Sequence, residues 1–177
     1  MMKNNSIVYL RAHRLDDYLT SINWRNDDQI WSQLEGCKYY VSESYEKKWI
    51  EDAIFDNKNI RLAICLKEDD RYIGNVGITN INQANRSGES YILIGDHSCW
   101  GKGIGVEAYR IMLDYVFNER GFHRIEARVL EDNLASLKMH QKCGFKIEGT
   151  LREIVFKNGR WQNQIVLSII ENEFRQL

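Results

Sequence analysis

The sequence predicts a mixed α/β fold, in which one central sheet carries helices on both faces. Segments with helical spacing of apolar residues interleave with short strand-like segments in the order β-α-α-β-β-β-α-β-α-β-β. Hairpin signals in mid-chain and near the C-terminus indicate that neighbouring strands there run antiparallel. The length of 177 residues suits one domain with a sizeable core, so we expect residues 1–177 to form a single unit.

The N-terminal third is predicted to contain one strand, at 7–11, and two helices. Asp16 or Asp17 can cap the first helix. Its apolar face would consist of Leu15, Leu19 and Ile22. A second helix starts at Ser42 or Ser44, and its apolar stripe would consist of Tyr45, Trp49, Ile50, Ala53 and Ile54. The aromatic-rich stretch 30–40 between them matches neither period.

The middle of the chain is predicted to form four strands and a helix. Strands at 60–66 and 72–81 flank a charged turn and form a hairpin, and a third strand spans 89–95. The helix from Val106 is ended by Gly121. Its buried face would consist of Ala108, Tyr109, Met112, Leu113, Val116 and Phe117. The strand at 124–130 alternates, with Ile125, Ala127 and Val129 on one face.

The C-terminal part is predicted to hold a short helix and a hairpin. The helix covers 135–142 and ends at Cys143-Gly144. Strands at 146–156 and 161–170 then surround the turn 157–160, whose Asn158-Gly159 pair is a strong hairpin signal.

Composition limits the classes of function. Apolar residues make up 44% and charged residues 28% of the chain, a mixture typical of globular proteins. The net charge of −1 lacks the basic excess expected of a nucleic-acid or membrane-surface protein. No apolar run approaches the roughly 20 residues that span a bilayer, and residues 1–6 contain no signal-peptide core. Widely spaced cysteines without a CxxC pair predict free thiols, a cytoplasmic location and no metal site; they are Cys37, Cys65, Cys99 and Cys143.

A glycine-rich turn lies between the strand at 89–95 and the helix from Val106. Gly101, Gly103 and Gly105 alternate in it. Glycine adopts positive φ readily and, without a Cβ, lets a ligand approach the backbone. Unpaired N–H groups and the helix dipole favour an anion, most often a phosphate, at such a turn. An ordinary strand-to-helix turn is the alternative, and the spacing matches neither GxGxxG nor GxxxxGK[ST].

Two segments together resemble the GNAT superfamily of acyl-CoA N-acyltransferases. Residues 100–105, Trp-Gly-Lys-Gly-Ile-Gly, resemble the family's [R/Q]-x-x-G-x-[G/A] loop, with Trp100 where Arg or Gln is commonest. Residues 133–145 resemble its N-x-x-[A/S]-x-x-x-Y-x-x-x-G-F segment at identical spacing. The resemblance covers 9–174 and implies a mostly antiparallel sheet of about seven strands. The C-terminal hairpin resembles those of ribosomal-protein, spermidine and nucleotide-aminosugar N-acetyltransferases.

The resemblance implies acetyl-CoA as cosubstrate and a set of residues that bind it. The loop would hold the pyrophosphate through Trp100, Gly101, Lys102, Gly103, Ile104, Gly105 and Val106. In the family the preceding strand splays from its neighbour and pairs with the pantetheine arm. That role falls to the backbone groups of Leu93, Ile94 and Gly95. Asn133 would bind the pantetheine arm with Ser136 beside it, and an N-cap is the alternative interpretation of Asn133.

The implied reaction is direct attack of a primary amine on the thioester, so no cysteine nucleophile is needed. The oxyanion would be held by the N–H of Ile94 or a neighbour. His140 stands where the family has Tyr and is predicted to be the general acid, with packing against the cofactor as the alternative. Glu89 is predicted to be the base; a register slip of one residue would turn it to the other face. His97, in the loop before the glycine turn, is a less favoured candidate for the base, and a surface histidine is the alternative interpretation.

The sequence specifies the amine acceptor less well than it specifies the cosubstrate. The resemblance places it between the first two helices and the last hairpin, which offer Trp24, Arg25, Asn26, Trp31, Tyr39, Tyr40, Arg152 and Trp161. Aromatic walls suit a flat ring, whereas Asp27, Asp28 and Glu35 could attract a cationic amine. We predict a small primary amine, with an aminosugar slightly ahead of a polyamine. A protein N-terminus and a catalytically weak CoA-binding module are the alternatives, and a homodimer is compatible with the resemblance.

Overall fold

A computed structural model of the chain describes residues 6–36 and 38–177. One sheet of seven strands has the order β1-β2-β3-β4-β5-β7-β6. The strands are β1 (Val8–Arg11), β2 (Ile60–Leu66), β3 (Tyr72–Asn82), β4 (Ser87–Ile94), β5 (Arg124–Leu130), β6 (Lys146–Lys157) and β7 (Arg160–Ile170). Neighbours are antiparallel except for β4 and β5, which pair in parallel. The predicted mixed α/β fold with a mostly antiparallel seven-stranded sheet is confirmed.

The helices of the described residues are α1 (Tyr18–Arg25), α2 (Asp28–Gln33), α3 (Glu43–Phe55), α4 (Ile104–Asp114), α5 (Leu134–Lys142) and α6 (Glu171–Phe174). A 3-10 turn precedes α1, and a π-helical turn at Tyr115–Glu119 extends α4. Ser42 caps α3 as predicted, by accepting the N–H of Tyr45. The sequence pattern missed the short helices α2 and α6.

Two apolar clusters lie on opposite faces of the sheet. Trp24 of α1 and Ile30 of α2 pack with Ala63 and Cys65 of β2. Ile64, between those two β2 residues, belongs to the larger cluster around α4, and successive strand residues point to opposite faces. The residues predicted to be buried on α4, on its π-helical extension and on β5 are all in the larger cluster: Ala108, Tyr109, Met112, Leu113, Val116, Phe117, Ile125, Ala127 and Val129. Helices therefore cover both faces.

The predicted apolar face of the first helix is wrong. Leu15 and Leu19 are exposed, whereas Ser21 and Trp24 are buried. The reason is a polar contact with α3: Ser21 donates to the buried carboxylate of Glu46 at 2.6 Å. Helix periodicity alone cannot identify a face that buries a serine against a glutamate.

Three further observations concern the described residues only. None of their helices is long and apolar enough to cross a membrane. Cys65, Cys99 and Cys143 are free thiols. No group of three or more His, Cys, Asp or Glu side chains among them could hold a metal ion. The expectations for Cys37 and for residues 1–5 fall outside the described part of the chain.

Candidate active site

The sheet opens between β4 and β5. These strands pair only where residues 87–89 lie beside 124–126. Beyond Glu89, β4 continues along β3 and β5 continues along β7. The two strands diverge and leave a cleft of about 830 Å³. Backbone N–H and C=O groups along the diverging edges lack strand partners and are available to a ligand.

Most of the predicted site residues line this cleft. Both predicted catalytic residues, His140 and Glu89, are in its wall. The predicted cofactor residues found there are Leu93, Ile94, Trp100, Gly101, Gly103, Ile104, Gly105, Val106, Asn133 and Ser136. Gly95 and Lys102 are not among the lining residues. The individual roles of all these residues stay predictions.

The N-terminus of α4 offers unpaired amides to the cleft. Gly103 is the N-cap, with φ of 80°, and Gly101 has φ of 73°. The Glu107 N–H donates to Gly103 O at 3.1 Å, so the N–H groups of 104–106 precede the first bond of the helix. A Cβ built on Gly103 meets no protein atom within 4 Å. These amides, together with the helix dipole, fit the pyrophosphate of coenzyme A.

Only alternate backbone groups of β4 face the cleft. The Gly95 N–H donates to Ile73 O of β3 at 2.8 Å. By the alternation of an antiparallel ladder, Leu93 also bonds toward β3, whereas Ile92 and Ile94 direct their N–H and C=O groups into the cleft. The expectation of free backbone groups at Leu93 and Gly95 is therefore wrong. Ile92 was missed because the sequence does not reveal which alternate residues of β4 direct their backbone groups toward β3.

Gly95 and Trp100 have structural roles at the end of β4. A Cβ on Gly95 would collide with the indole of Trp24, so glycine is needed there for packing. The indole N–H of Trp100 donates to Ile94 O at 2.8 Å, and its ring stacks on His97 at 4.2 Å. Trp100 therefore holds the last cleft-facing carbonyl of β4. His97 is exposed and lies 3.1 Å from Asp27.

Asn133 caps α5, as its alternative interpretation proposed. Its Oδ1 accepts the Ser136 N–H at 3.0 Å. Its Nδ2 donates to Gln33 O at 3.0 Å, which ties α5 to the end of α2. Both polar groups of Asn133 thus have protein partners, and its contact with the pantetheine arm stays a prediction.

His140 is buried between α4 and α5. Its Nδ1 lies 2.8 Å from Ser136 O and must donate, because a carbonyl oxygen only accepts. Burial lowers the pKa of His140 below its usual value, and the bond to Ser136 opposes this shift. Edge contacts with Tyr109 and Phe145, at 4.9 and 5.2 Å, enclose the ring. A neutral ring with its proton on Nδ1 has none on Nε2, so this geometry favours packing over the general-acid role.

The burial of His140 predicts a pH dependence of stability. Its pKa is lower in the folded than in the unfolded chain, so the unfolded chain binds more protons. Titration of His140 therefore leaves the free energy of unfolding unchanged above about pH 6.5. Below that pH it lowers the free energy of unfolding, as the pH falls toward the pKa of His140 in the folded chain. We expect the melting temperature to fall less between about pH 7 and 5 in His140→Phe than in the unmodified protein. His123→Phe, at an exposed histidine, is the control. Parallel curves for the unmodified protein and His140→Phe would contradict the prediction.

Glu89 lies where β4 and β5 separate. It is the last β4 residue paired with β5, opposite Glu126, and its side chain lines the cleft. Asn80 Nδ2 donates to its Oε2 at 3.0 Å, and Arg128 Nε lies 3.8 Å from its Oε1. Glu89 therefore lies at the cleft with a protein partner near each carboxylate oxygen. Its action as the base stays a prediction.

Few of the residues expected around the acceptor line the cleft. Arg25, Trp31 and Glu35 do. Trp24 is buried against Tyr72 in the core, and Trp161 packs on Phe156 at 5.2 Å. The remaining candidates outside the lining are Asn26, Asp27, Asp28, Tyr39, Tyr40 and Arg152. Aromatic content did not identify the acceptor wall, because most of these rings serve packing or lie at the surface.

Comparison with known proteins gives the family. Residues 8–146 match the model of the acetyltransferase (GNAT) domain. The chain is 31% identical to the probable N-acetyltransferase YjcK of Bacillus subtilis, covering 99% of this chain and 100% of the relative. It is also 31% identical to the spermidine N(1)-acetyltransferase of Vibrio cholerae, covering 96% of each. The structure is similar to the crystal structure of spermidine N-acetyltransferase from Vibrio cholerae in complex with CoA and spermine. The two chains superpose with a TM-score of 0.88 and are 29% identical, over 97% of this chain and 99% of that one. The chain belongs to the GNAT acetyltransferase family and is an acetyl-CoA-dependent N-acetyltransferase.

Proposed function

We propose that the acceptor is a small polycationic amine of the polyamine class, acetylated on a primary amino group. This choice reverses the order suggested by the sequence, where an aminosugar stood slightly ahead. The observation that carries it is a pair of carboxylates at one end of the cleft. Glu35, in the loop after α2, and Glu89, on β4, both line that end. The spermidine acetyltransferases among the relatives support the same class.

The negative charge of Glu89 acts on Glu35 through space. Partial desolvation raises the pKa of Glu35 and the negative charge of Glu89 raises it further, while a bond from Gln164 and the positive charges of Arg128 and Lys157 act in the opposite direction. A cation between the two groups would relieve this repulsion. Binding of a polycationic amine is therefore favoured at this end of the cleft.

Two arginines that line the cleft, Arg25 and Arg128, contact carboxylates outside it. Arg25 lies 3.2 Å from the buried Glu46, and Arg128 lies 3.2 Å from Glu126. Neither Glu46 nor Glu126 lines the cleft. Arg128 also lies 3.8 Å from Glu89, so its charge is shared between two carboxylates, and this sharing reduces the positive charge that the arginines present to a ligand.

Acetyl-CoA supplies an activated acetyl thioester, and the chain's own residues provide positioning. The amides of 104–106 bind phosphate oxygens, and the cleft-facing N–H groups of Ile92 and Ile94 can donate to an oxygen that becomes negative during attack. Glu89 accepts the proton of the attacking amine, the C–N bond forms, and the C–S bond of the thioester breaks to release the coenzyme A thiolate. Holding the amine and thioester in line supplies the remaining rate enhancement.

The test is an acetylation screen read out as free coenzyme A thiol, with polyamines, monoamines of matched length, nucleotide-linked aminosugars and peptide N-termini. We expect polyamines to give the highest kcat/KM. Glu35→Gln should raise the KM for spermidine about 10-fold and barely change that for a monoamine, because it removes one charge-assisted contact. Glu68→Gln, in the exposed turn between β2 and β3, is the control. Activity confined to aminosugars or to peptides would contradict the proposal.

A further inference from the structure

Lys157, the last residue of β6, is a lysine whose ammonium group is directed into the protein. The residue is only 5% exposed. Its Nζ donates to the backbone oxygens of Trp31 and Leu34, at the end of α2. A lysine ammonium is rarely buried unless its protons are hydrogen-bonded. Lys157 is not among the residues that line the cleft between β4 and β5.

The end of α2 needs such a partner. A helix of six residues is too short to be stable alone, and its last carbonyls have no partners within the helix apart from Trp31 O, which accepts the N–H of the C-cap Leu34 at 3.2 Å. A positive charge is favoured there by the helix dipole. Asn133 supplies a second donor, to Gln33 O at 3.0 Å. The side chains of Lys157 and Asn133 thus hold three backbone carbonyls in the segment that leads directly to Glu35: those of Trp31, Gln33 and Leu34.

We propose that Lys157 is a positioning residue, which fixes the carbonyls of Trp31 and Leu34 and thereby places the Glu35 carboxylate in the acceptor end of the cleft. Leu34 is bonded directly to Glu35, so a shift of its carbonyl moves the next residue. The Asn133 side chain donates to the carbonyl of Gln33, one residue before Leu34. The inference rests on the proposed function, since it gives Glu35 the amine as ligand.

The first test compares Lys157→Met, which keeps the length but loses all donors, with Lys157→Arg, which keeps charge and donors. Lys157→Met should raise the KM for spermidine about 10-fold, with kcat and the KM for acetyl-CoA changed less than about twofold, because only the amine subsite loses its geometry. Lys157→Arg should restore most of the affinity. Lys146→Met, at the exposed start of β6, is the control. If Lys157→Met fails to fold, Lys157→Gln, which keeps a shorter, uncharged donor, takes its place with the same expected rise in the KM for spermidine.

A double-mutant cycle tests whether Lys157 acts through Glu35. In a Glu35→Gln background, Lys157→Met should add less than about a twofold change in KM, because coupled residues are not additive. Additive effects on KM would overturn the positioning role, since Lys157 would then act independently of Glu35.

Hydrogen exchange separates this inference from the proposed function. Without any amine present, the backbone amides of 34–36 should exchange faster in Lys157→Met than in the unmodified protein and Lys146→Met. If exchange is faster in Lys157→Met but the unmodified enzyme does not acetylate polyamines, Lys157 still anchors the end of α2 and the proposed acceptor is refuted. Unchanged exchange and unchanged KM in an enzyme that acetylates spermidine would overturn the role of Lys157.

Discussion

Replacing Gly103 by valine is expected to weaken acetyl-CoA binding about 100-fold, a loss of about 3 kcal/mol. Gly103 has φ of 80°, a conformation that costs a residue with a Cβ about 1–2 kcal/mol. The loop would relax to relieve this strain, and the amides of 104–106 would lose their common direction. Each charge-assisted bond from an amide to a phosphate oxygen contributes about 1.5–3 kcal/mol. Isothermal titration calorimetry with acetyl-CoA measures the effect.

Gly121 offers the matched control for Gly103. It lies beyond the other end of α4 and its π-helical extension, has φ of 64°, and a Cβ built there also meets no atom within 4 Å. Gly121→Val therefore introduces similar backbone strain away from the cleft. It should lower the melting temperature without changing the dissociation constant for acetyl-CoA. Equal affinities of the two variants would show that the turn at Gly103 does not cradle the phosphates.

The sequence predicted those parts of the fold in which apolar periodicity is strong. The alternation of Ile125, Ala127 and Val129 and the helical stripe through Tyr109 and Phe117 each gave the correct buried face. Periodicity failed where polar residues are buried. Glu46 and Ser21 satisfy each other at 2.6 Å, and no pattern of apolar residues indicates that they should be inside. The six-residue helix α2 was missed for a related reason, since it depends on contacts with distant elements.

The site was predictable where a local motif determines geometry. The glycine turn and the Asn133 segment both face the cleft as their spacing suggested. Details that depend on strand pairing were not accessible. Whether Ile92 or Leu93 directs its backbone into the cleft follows from the register with β3, which one sequence does not determine. The contact of Lys157 with α2 joins residues more than 120 positions apart, and only the folded chain shows it.

Replacing Glu89 by glutamine is expected to lower kcat about 100-fold at neutral pH, the lower range for loss of a general base. Glutamine keeps the shape and can still accept a bond from Asn80, but it cannot take the proton of the attacking amine. The loss should shrink as the pH rises toward about 10, where the free amine no longer needs a base. Steady-state rates with acetyl-CoA and spermidine, measured across this pH range, test the prediction.

Glu126→Gln is the control for Glu89→Gln. Glu126 pairs with Glu89 across β4 and β5 and contacts the same Arg128, at 3.2 Å, but it does not line the cleft. Its substitution removes an equal charge from nearly the same place and should leave kcat within about twofold. A Glu89→Gln variant with normal kcat and a raised KM for spermidine would show that Glu89 binds the cation without acting as a base. Loss of kcat in both variants would instead point to Arg128, the partner that they share.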